Sequence, residues 1–154
     1  MSADSYQFVV EMDVRDYECD LQGVVNNAVY QNYLEHARHL LLEDAGIDFA
    51  ALHEAGIDPV VTRAELDYKK PLRSGDRFSV GLTVTRMGRL RFVFRQEIRR
   101  GGGRRVTDAA GPAADGELVL AARIVAVTLR NGRPVAPGEI IEAIERRYGP
   151  VATE

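Results

Sequence analysis

The sequence predicts an α+β fold in which one long central helix is wrapped by a five-stranded antiparallel sheet. Two observations support this fold class. Apolar side chains recur with helical spacing over one long stretch, residues 26–45. In five other segments they alternate with polar side chains or form short apolar runs bounded by turn residues. The length of 154 residues suits a single domain over residues 1–154.

The N-terminal third predicts a strand followed by the long helix. The strand covers residues 6–14, where apolar and polar side chains alternate. The apolar stripe of the helix consists of Tyr30, Leu34, Ala37, Leu41 and Ala45. Asn26 or Asn27 suits the N-cap, and Gly46 stands where a left-handed C-cap is expected. A short second helix is predicted over residues 49–54.

The rest of the chain predicts four strands and a terminal helix. The strands cover residues 60–68, 78–84, 90–98 and 117–129. Gly88 interrupts two alternating runs, which predicts an antiparallel hairpin. The last strand has apolar residues at both its odd and its even positions, which indicates a central strand covered on two faces. Residues 100–116 are predicted as a loop, and residues 137–147 as an amphipathic helix.

Composition excludes several classes of protein. The 20 lysines and arginines are outnumbered by 23 acids, giving a formal net charge of -3, which argues against a dedicated nucleic-acid binder. No segment approaches the roughly 20 apolar residues that span a membrane. The single cysteine, Cys19, excludes an internal disulfide framework and fits a reducing compartment. With no secretory signal evident at the N-terminus, we expect a cytoplasmic protein.

A small sheet covered on one face has edge strands to protect. Pairing of edges between two copies is one solution to this problem. We therefore expect a homo-oligomer, either a dimer or a dimer of dimers.

Reactive side chains are densest just before the long helix and in its first turns. Asp16, Glu18 and Asp20 precede the helix. The first-turn N–H groups of a helix are unpaired and carry partial positive charge, so they can polarise a carbonyl group. A nearby aspartate can then attack that carbonyl or activate water. The alternative is that Asp20 and Asn26 only form a turn and a helix cap.

One stretch, residues 20–27, reads DLQGVVNN and resembles the Asp-x-x-Gly-Val-Val signature of the hotdog-fold thioesterases. That superfamily includes the 4-hydroxybenzoyl-CoA thioesterases. The longer string over residues 14–30 is similar to two branches: plant acyl-acyl carrier protein thioesterases of methylketone synthesis, and bacterial thioesterases that release polyenes from enediyne polyketide synthases. The arginine-rich composition favours the bacterial branch.

The resemblance implies a hotdog fold and hydrolysis of a long polyene, β-keto or β-hydroxy acyl thioester. The acyl group would be carried on the phosphopantetheine of an acyl carrier protein domain. Asp20 matches the catalytic acid, the backbone N–H of Asn27 matches the group that polarises the carbonyl, and Arg38 matches a catalytic arginine. Matching substrate-binding positions are Gly23, Val24, Tyr30, Glu35 and Thr62. No metal or other cofactor is implied.

Several alternatives stay open at this point. A general acyl-CoA thioesterase or a non-catalytic acyl-chain binding module would share the same helix start. Arg38 is either a fixed cation for a developing oxyanion or acyl oxygen, or half of a surface ion pair with Glu35. Glu35 is also a reserve candidate for the catalytic acid. His36 and His39 do not form a metal-binding H-E-x-x-H motif.

Two further patterns have a functional and a structural interpretation. Three arginines share one strand face, where they would meet a phosphate or an acidic carrier domain, or simply keep the sheet solvated: Arg91, Arg95 and Arg99. Three alanines on the last strand would leave room for an apolar tunnel or permit close packing of the helix: Ala121, Ala122 and Ala126.

Overall fold

The computed structural model describes residues 6–101 and 116–154, and it confirms the α+β architecture. The strands are β1 (Phe8–Asp13), β2 (Ile57–Tyr68), β3 (Arg77–Met87), β4 (Arg91–Arg100), β5 (Glu117–Arg130) and β6 (Arg133–Val135). The helices are α1 (Asn27–Asp44), α2 (Phe49–Glu54) and α3 (Gly138–Tyr148), and a short 3-10 turn covers Asp16–Glu18.

The strands form one antiparallel sheet in the order β1-β3-β4-β5-β2, and β6 pairs with the end of β5. β5 is an inner strand, between β4 and the edge strand β2, and is largely buried on both faces, as its doubly apolar pattern predicts. β2 is a 12-residue edge strand. Its pairing with β5 shifts register between Val61 and Arg63, which leaves Thr62 as the extra residue of a β-bulge.

Helix α1 packs its apolar side against the sheet. Its buried residues are Tyr30, Tyr33, Leu34, Ala37, Leu41 and Leu42. They join one core cluster with the inward-facing residues of β3, β4 and β5. Asn26 is the N-cap and Gly46 has a φ of 86°, so both helix ends lie where the sequence places them. None of the described helices is long and apolar enough to cross a membrane.

Three predictions about elements need correction or fall outside the structure. The sheet has a sixth strand, β6, because Asn131 and Gly132 both adopt positive φ and turn the chain back on β5. Three residues are too few for alternation to reveal such a strand. β2 begins at Ile57, before Pro59, which an edge strand tolerates. Except at its ends, the predicted loop over residues 100–116 lies outside the described residues.

Candidate active site

A narrow hairpin precedes α1 and carries Asp20. The Asp20 N–H donates to the Val24 carbonyl at 2.8 Å, and the Asn26 N–H donates to the Glu18 carbonyl at 3.0 Å. Two residues of extended chain separate Asp20 from Glu18, a distance of about 7 Å. Because α1 starts immediately after Asn26, the hairpin holds the Asp20 backbone about 7 Å from the Glu18–Asn26 pair at the start of that helix.

The Asp20 side chain helps to form the hairpin turn. Its Oδ1 accepts hydrogen bonds from the N–H groups of Gln22 at 2.8 Å and Val24 at 3.3 Å. Gly23 completes the turn with a φ of 79°, a conformation that favours glycine. Within the described parts of the chain, Oδ2 accepts no hydrogen bond, and the residue is exposed. One carboxylate oxygen is therefore used structurally, and the other faces solvent.

The first turn of α1 offers a backbone donor. The Asn26 side chain accepts from the Ala28 N–H at 3.0 Å, and the Val29 N–H donates to the Asn26 carbonyl at 2.9 Å. Among residues 6–101 and 116–154, no acceptor is bonded to the Asn27 N–H. This N–H carries the partial positive charge of a helix N-terminus, so it is able to bind a carbonyl oxygen.

Two clefts, of about 350 Å³ and about 510 Å³, run between α1 and β2. They share Glu35, Arg38 and Val61, so we describe them together as the α1–β2 groove. The groove begins beside Ala28 in the first turn of α1 and continues past Leu42 to α2. From Ala28 to Leu42 the helix rises about 21 Å.

The α2 end of the groove is mainly apolar and aromatic. Phe92 and Phe94 line it with ring centroids 5.5 Å apart, and Phe49 lies 5.2 Å from the ring of His39. Ala126 also lines this end, which agrees with the predicted space beside the last strand. Ala122 faces the core, whereas Ala121 alternates to the opposite face of β5 and cannot line the groove, so that part of the prediction is wrong.

Arg38 lies at the centre of the groove. Its Nη1 donates to Gln96 Oε1 at 3.0 Å, and its guanidinium carbon lies 5.9 Å from the ring centroid of Phe94. Burial lowers the pKa of the Arg38 guanidinium, an effect that the nearby Glu35 carboxylate opposes. No carboxylate in the described ranges forms an ion pair with Arg38. The predicted surface pair with Glu35 is therefore absent from the described contacts, and a half-buried cation faces the groove.

Gln96 is a site residue that the sequence interpretation missed. It lies on β4 and is only 1% exposed. Its Nε2 donates to the Leu34 carbonyl of α1 at 3.0 Å, while its Oε1 accepts from Arg38. The available signal in the sequence was a polar amide on the same face of the strand as Phe92, Phe94 and Ile98, which direct apolar side chains towards the helix.

The remaining predicted substrate-binding residues are more dispersed. Tyr30 is buried, its hydroxyl accepts from the Leu72 N–H at 3.0 Å, and burial raises its pKa. The Thr62 hydroxyl donates to the Val125 carbonyl at 3.3 Å. Of these residues, Glu35 is the one that lines the groove. Gly23 and Val24 lie in the Asp20 hairpin. The structure thus brings Glu35 and Arg38 together and leaves Tyr30 and Thr62 in structural contacts.

The arginines on the outer face of β4 are largely paired within the chain. Arg95 lies 3.1 Å from Glu154, and Arg99 lies 3.6 Å from Glu97. Arg91 is exposed at the start of the strand. These ion pairs support the interpretation of a solvated face more than that of a free phosphate site.

Other titratable groups near the groove form a pair. His53 on α2 lies 2.7 Å from Asp58 on β2, and this hydrogen bond raises the pKa of His53. In the ranges that the structure describes, no cluster of three or more histidine, cysteine or acidic side chains is arranged to hold a metal ion.

Comparisons with known proteins identify similar sequences and folds. The family model described as the thioesterase superfamily matches residues 22–107, which is more than half of the chain. The chloroplastic acyl-acyl carrier protein thioesterase ATL3 of Arabidopsis thaliana is 42% identical over 85 residues, which make up 55% of this chain and 45% of that protein. The chain thus spans less than half the length of this plant relative.

Two solved structures are similar over nearly their whole length. A hypothetical protein from Aquifex aeolicus has a TM-score of 0.74 and 28% identity, covering 89% of this chain and 98% of that one. A thioesterase from Thermus thermophilus, complexed with coenzyme A and zinc, has a TM-score of 0.72 and 29% identity, covering 96% of this chain and 98% of that one. These similarities, with the α1-wrapping sheet, confirm the predicted hotdog architecture.

Proposed function

Because this chain belongs to the thioesterase superfamily, we propose that it hydrolyses a long acyl thioester carried on the phosphopantetheine of an acyl carrier protein. The observation that carries this proposal is the α1–β2 groove. It starts beside Ala28, in the helix turn whose Asn27 N–H has no acceptor among the described residues, and continues for about 21 Å along α1. This arrangement gives a thioester carbonyl a hydrogen-bond donor and gives the attached chain a place to lie.

In the proposed reaction, the thioester carbonyl oxygen accepts a hydrogen bond from the Asn27 N–H. The Asp20 carboxylate either takes a proton from a water molecule as that water adds to the carbonyl carbon, or adds to the carbon itself. The carbon–sulfur bond then breaks and the thiolate leaves. If water adds, the protonated Asp20 returns its proton to the thiolate. If Asp20 adds, water hydrolyses the mixed anhydride that it forms, and the carboxylic acid regenerated at Asp20 protonates the thiolate. In both cases the products are the free acid and the thiol.

The shape of the groove supports a long, unsaturated acyl chain. In an extended peptide, each residue contributes three backbone bonds and about 3.3–3.6 Å of length. A groove of about 21 Å therefore holds roughly 18 bonds of an extended acyl chain. Flat conjugated chains suit the aromatic wall made by Phe49, Phe92 and Phe94. Arg38 lies about 16 Å along α1 from the Asn27 N–H, so it would bind an oxygen near the middle of that chain. Release from an enediyne polyketide synthase is proposed from the sequence resemblance alone.

The carrier of the acyl group is tested by comparing two thioesters of one chain. The plant relative is named for acyl carrier protein thioesters, and the Thermus relative was solved with coenzyme A. We expect a higher kcat/KM for the carrier-protein thioester than for the coenzyme A thioester. A strong preference for coenzyme A would replace the carrier protein with coenzyme A in the proposal.

The catalytic assignment is tested by single-turnover hydrolysis with Asp20→Asn. The asparagine Oδ1 can accept both turn hydrogen bonds, so the hairpin is kept while the carboxylate is lost. We expect the rate to fall by about 10²-fold or more. Asp48→Asn is the matched control, because Asp48 caps α2 through its Oδ1 and asparagine caps equally well.

Two outcomes would contradict the catalytic assignment. An unchanged rate in Asp20→Asn would remove Asp20 from the chemistry and leave Glu35 as the acid to test. A wild-type protein that retains the acyl thioester without turnover would identify a binding module instead of an enzyme.

A further inference from the structure

Gln96 is a buried amide whose two polar groups are both bonded to α1. Burying an amide without partners is costly, so an amide that is 1% exposed requires partners. Its Oε1 accepts from Arg38 at 3.0 Å and its Nε2 donates to the Leu34 carbonyl at 3.0 Å. The side chain therefore joins the centre of the sheet to both the backbone of α1 and the guanidinium group in the groove.

The side chain that accepts the Arg38 hydrogen bond is a neutral amide, so it does not neutralise the positive charge of the guanidinium group. A carboxylate at the same place would hold the guanidinium equally well and cancel its charge. The amide fixes the group but leaves its charge in place. Since a guanidinium has five N–H donors and Gln96 accepts one, donors remain for a ligand in the groove that Arg38 lines.

We propose that Gln96 is a positioning residue that holds Arg38 in the groove as a cation with no ion-paired carboxylate among the described residues, ready for an electronegative oxygen of the acyl chain. This inference rests on the proposed function, because it gives Arg38 a ligand to bind. It predicts that Gln96 selects between acyl chains through Arg38, whereas a purely structural Gln96 would affect all acyl chains alike.

The test is a double-mutant cycle measured with two carrier-protein substrates. The proteins are wild type, Gln96→Met, Arg38→Ala and the double variant; the substrates are a long acyl thioester with a keto group near the middle of the chain and an unsubstituted acyl thioester of equal length. We expect Gln96→Met to raise KM about tenfold for the mid-chain keto substrate, the scale of one charge-assisted hydrogen bond, and to change KM for the unsubstituted substrate by less than about twofold. In the Arg38→Ala background, Gln96→Met should have no further effect.

A second variant, Gln96→Glu, keeps the acceptor and nearly the same shape. As pH rises and the introduced carboxyl group ionises, it cancels the charge of Arg38. We therefore expect a loss of activity on the mid-chain keto substrate that deepens with pH and is absent from wild type. The control is Thr128→Val, which removes a buried hydroxyl from β5 outside the groove and should leave both KM values unchanged.

The outcomes separate the two proposals. If Arg38→Ala leaves KM for the mid-chain keto substrate unchanged, the proposed role of Arg38 is wrong. The positioning role of Gln96 is wrong if Arg38→Ala weakens binding but the Gln96 variants do not. It is also wrong if the effects of the Gln96 variants add to that of Arg38→Ala, or if they fall equally on both substrates.

Discussion

Asp20 combines a structural contact with a proposed chemical role, one for each carboxylate oxygen. Oδ1 accepts the two N–H groups that close the hairpin turn, while Oδ2 is exposed. The sequence pattern left the turn former and the catalyst as alternatives, but the geometry permits both at once. Variants at this position must therefore separate stability from activity.

We predict that Asp20→Ala lowers the free energy of unfolding by about 1 kcal/mol, because the N–H groups of Gln22 and Val24 lose their acceptor. Asp20→Asn should remain within a few tenths of a kcal/mol of wild type, since its side-chain oxygen keeps these bonds. Urea unfolding of the three proteins measures the difference. Equal stabilities for the two variants would show that the turn bonds contribute nothing.

Tyr33 provides a pH-dependent contribution to stability. Its hydroxyl donates to Glu18 Oε1 at 2.8 Å, and burial together with this carboxylate raises its pKa. The unfolded chain releases the phenolic proton near pH 10, whereas the folded protein retains it to higher pH. The stabilisation by Tyr33 is therefore complete below about pH 10 and is lost as pH rises through the folded pKa.

We predict that Tyr33→Phe destabilises the protein by about 1 kcal/mol at neutral pH and makes the decline in stability above about pH 10 shallower than in wild type. Urea unfolding across this range measures both effects. Tyr17→Phe is the control, because Tyr17 is 75% exposed and should leave the slope unchanged. A decline in Tyr33→Phe that parallels wild type would contradict this linkage.

Among the secondary-structure elements, α1 shows what could be predicted from the sequence. Its start, its C-cap and its buried side follow from local spacing and cap residues, and the structure confirms them. The groove could not be predicted in this way, because its walls come from separate elements. Gln96 and Arg38 are 58 positions apart, and only the pairing of β4 within the sheet places that amide beside the helix.

The same helix supplies the proposed carbonyl donor, so its N-cap affects both stability and chemistry. We predict that Asn26→Ala costs about 1 kcal/mol, a fall in Tm of about 2–4 °C, because the Ala28 N–H loses its acceptor. Fraying of the first turn would also misplace the Asn27 N–H and lower kcat. Asn26→Asp restores a capping oxygen and should restore both values in thermal unfolding and hydrolysis assays.

If Asn26→Ala lowered Tm while kcat stayed at the wild-type value, the first turn would not be the carbonyl-binding element. The assignment of the Asn27 N–H would then fail, although the cap itself would be confirmed. A fall in kcat without a change in Tm would instead show that the Asn26 side chain affects the reaction by a route other than helix capping.

In the molecule as a whole, the groove and the longest unprotected sheet edge lie on the same side. The 12-residue strand β2 pairs with β5 along one edge only, within the described residues, and forms one wall of the groove. Val60 and Val61 on this strand are 37% and 49% exposed. Long edge strands with exposed apolar residues favour pairing with another chain, so we propose that two copies meet across β2 beside their grooves.

We predict that the wild-type protein sediments as a dimer or a dimer of dimers and that Val60→Lys weakens the dimer by about tenfold or more, since a lysine on the edge opposes strand pairing. Leu90→Lys is the matched control: Leu90 is 38% exposed in the β3–β4 turn, away from β2, and should leave the assembly unchanged. Sedimentation velocity over a concentration series measures both variants. A monomeric wild type, or equal dissociation of the two variants, would contradict pairing across β2, and each groove would then have to bind its acyl chain without a neighbouring subunit.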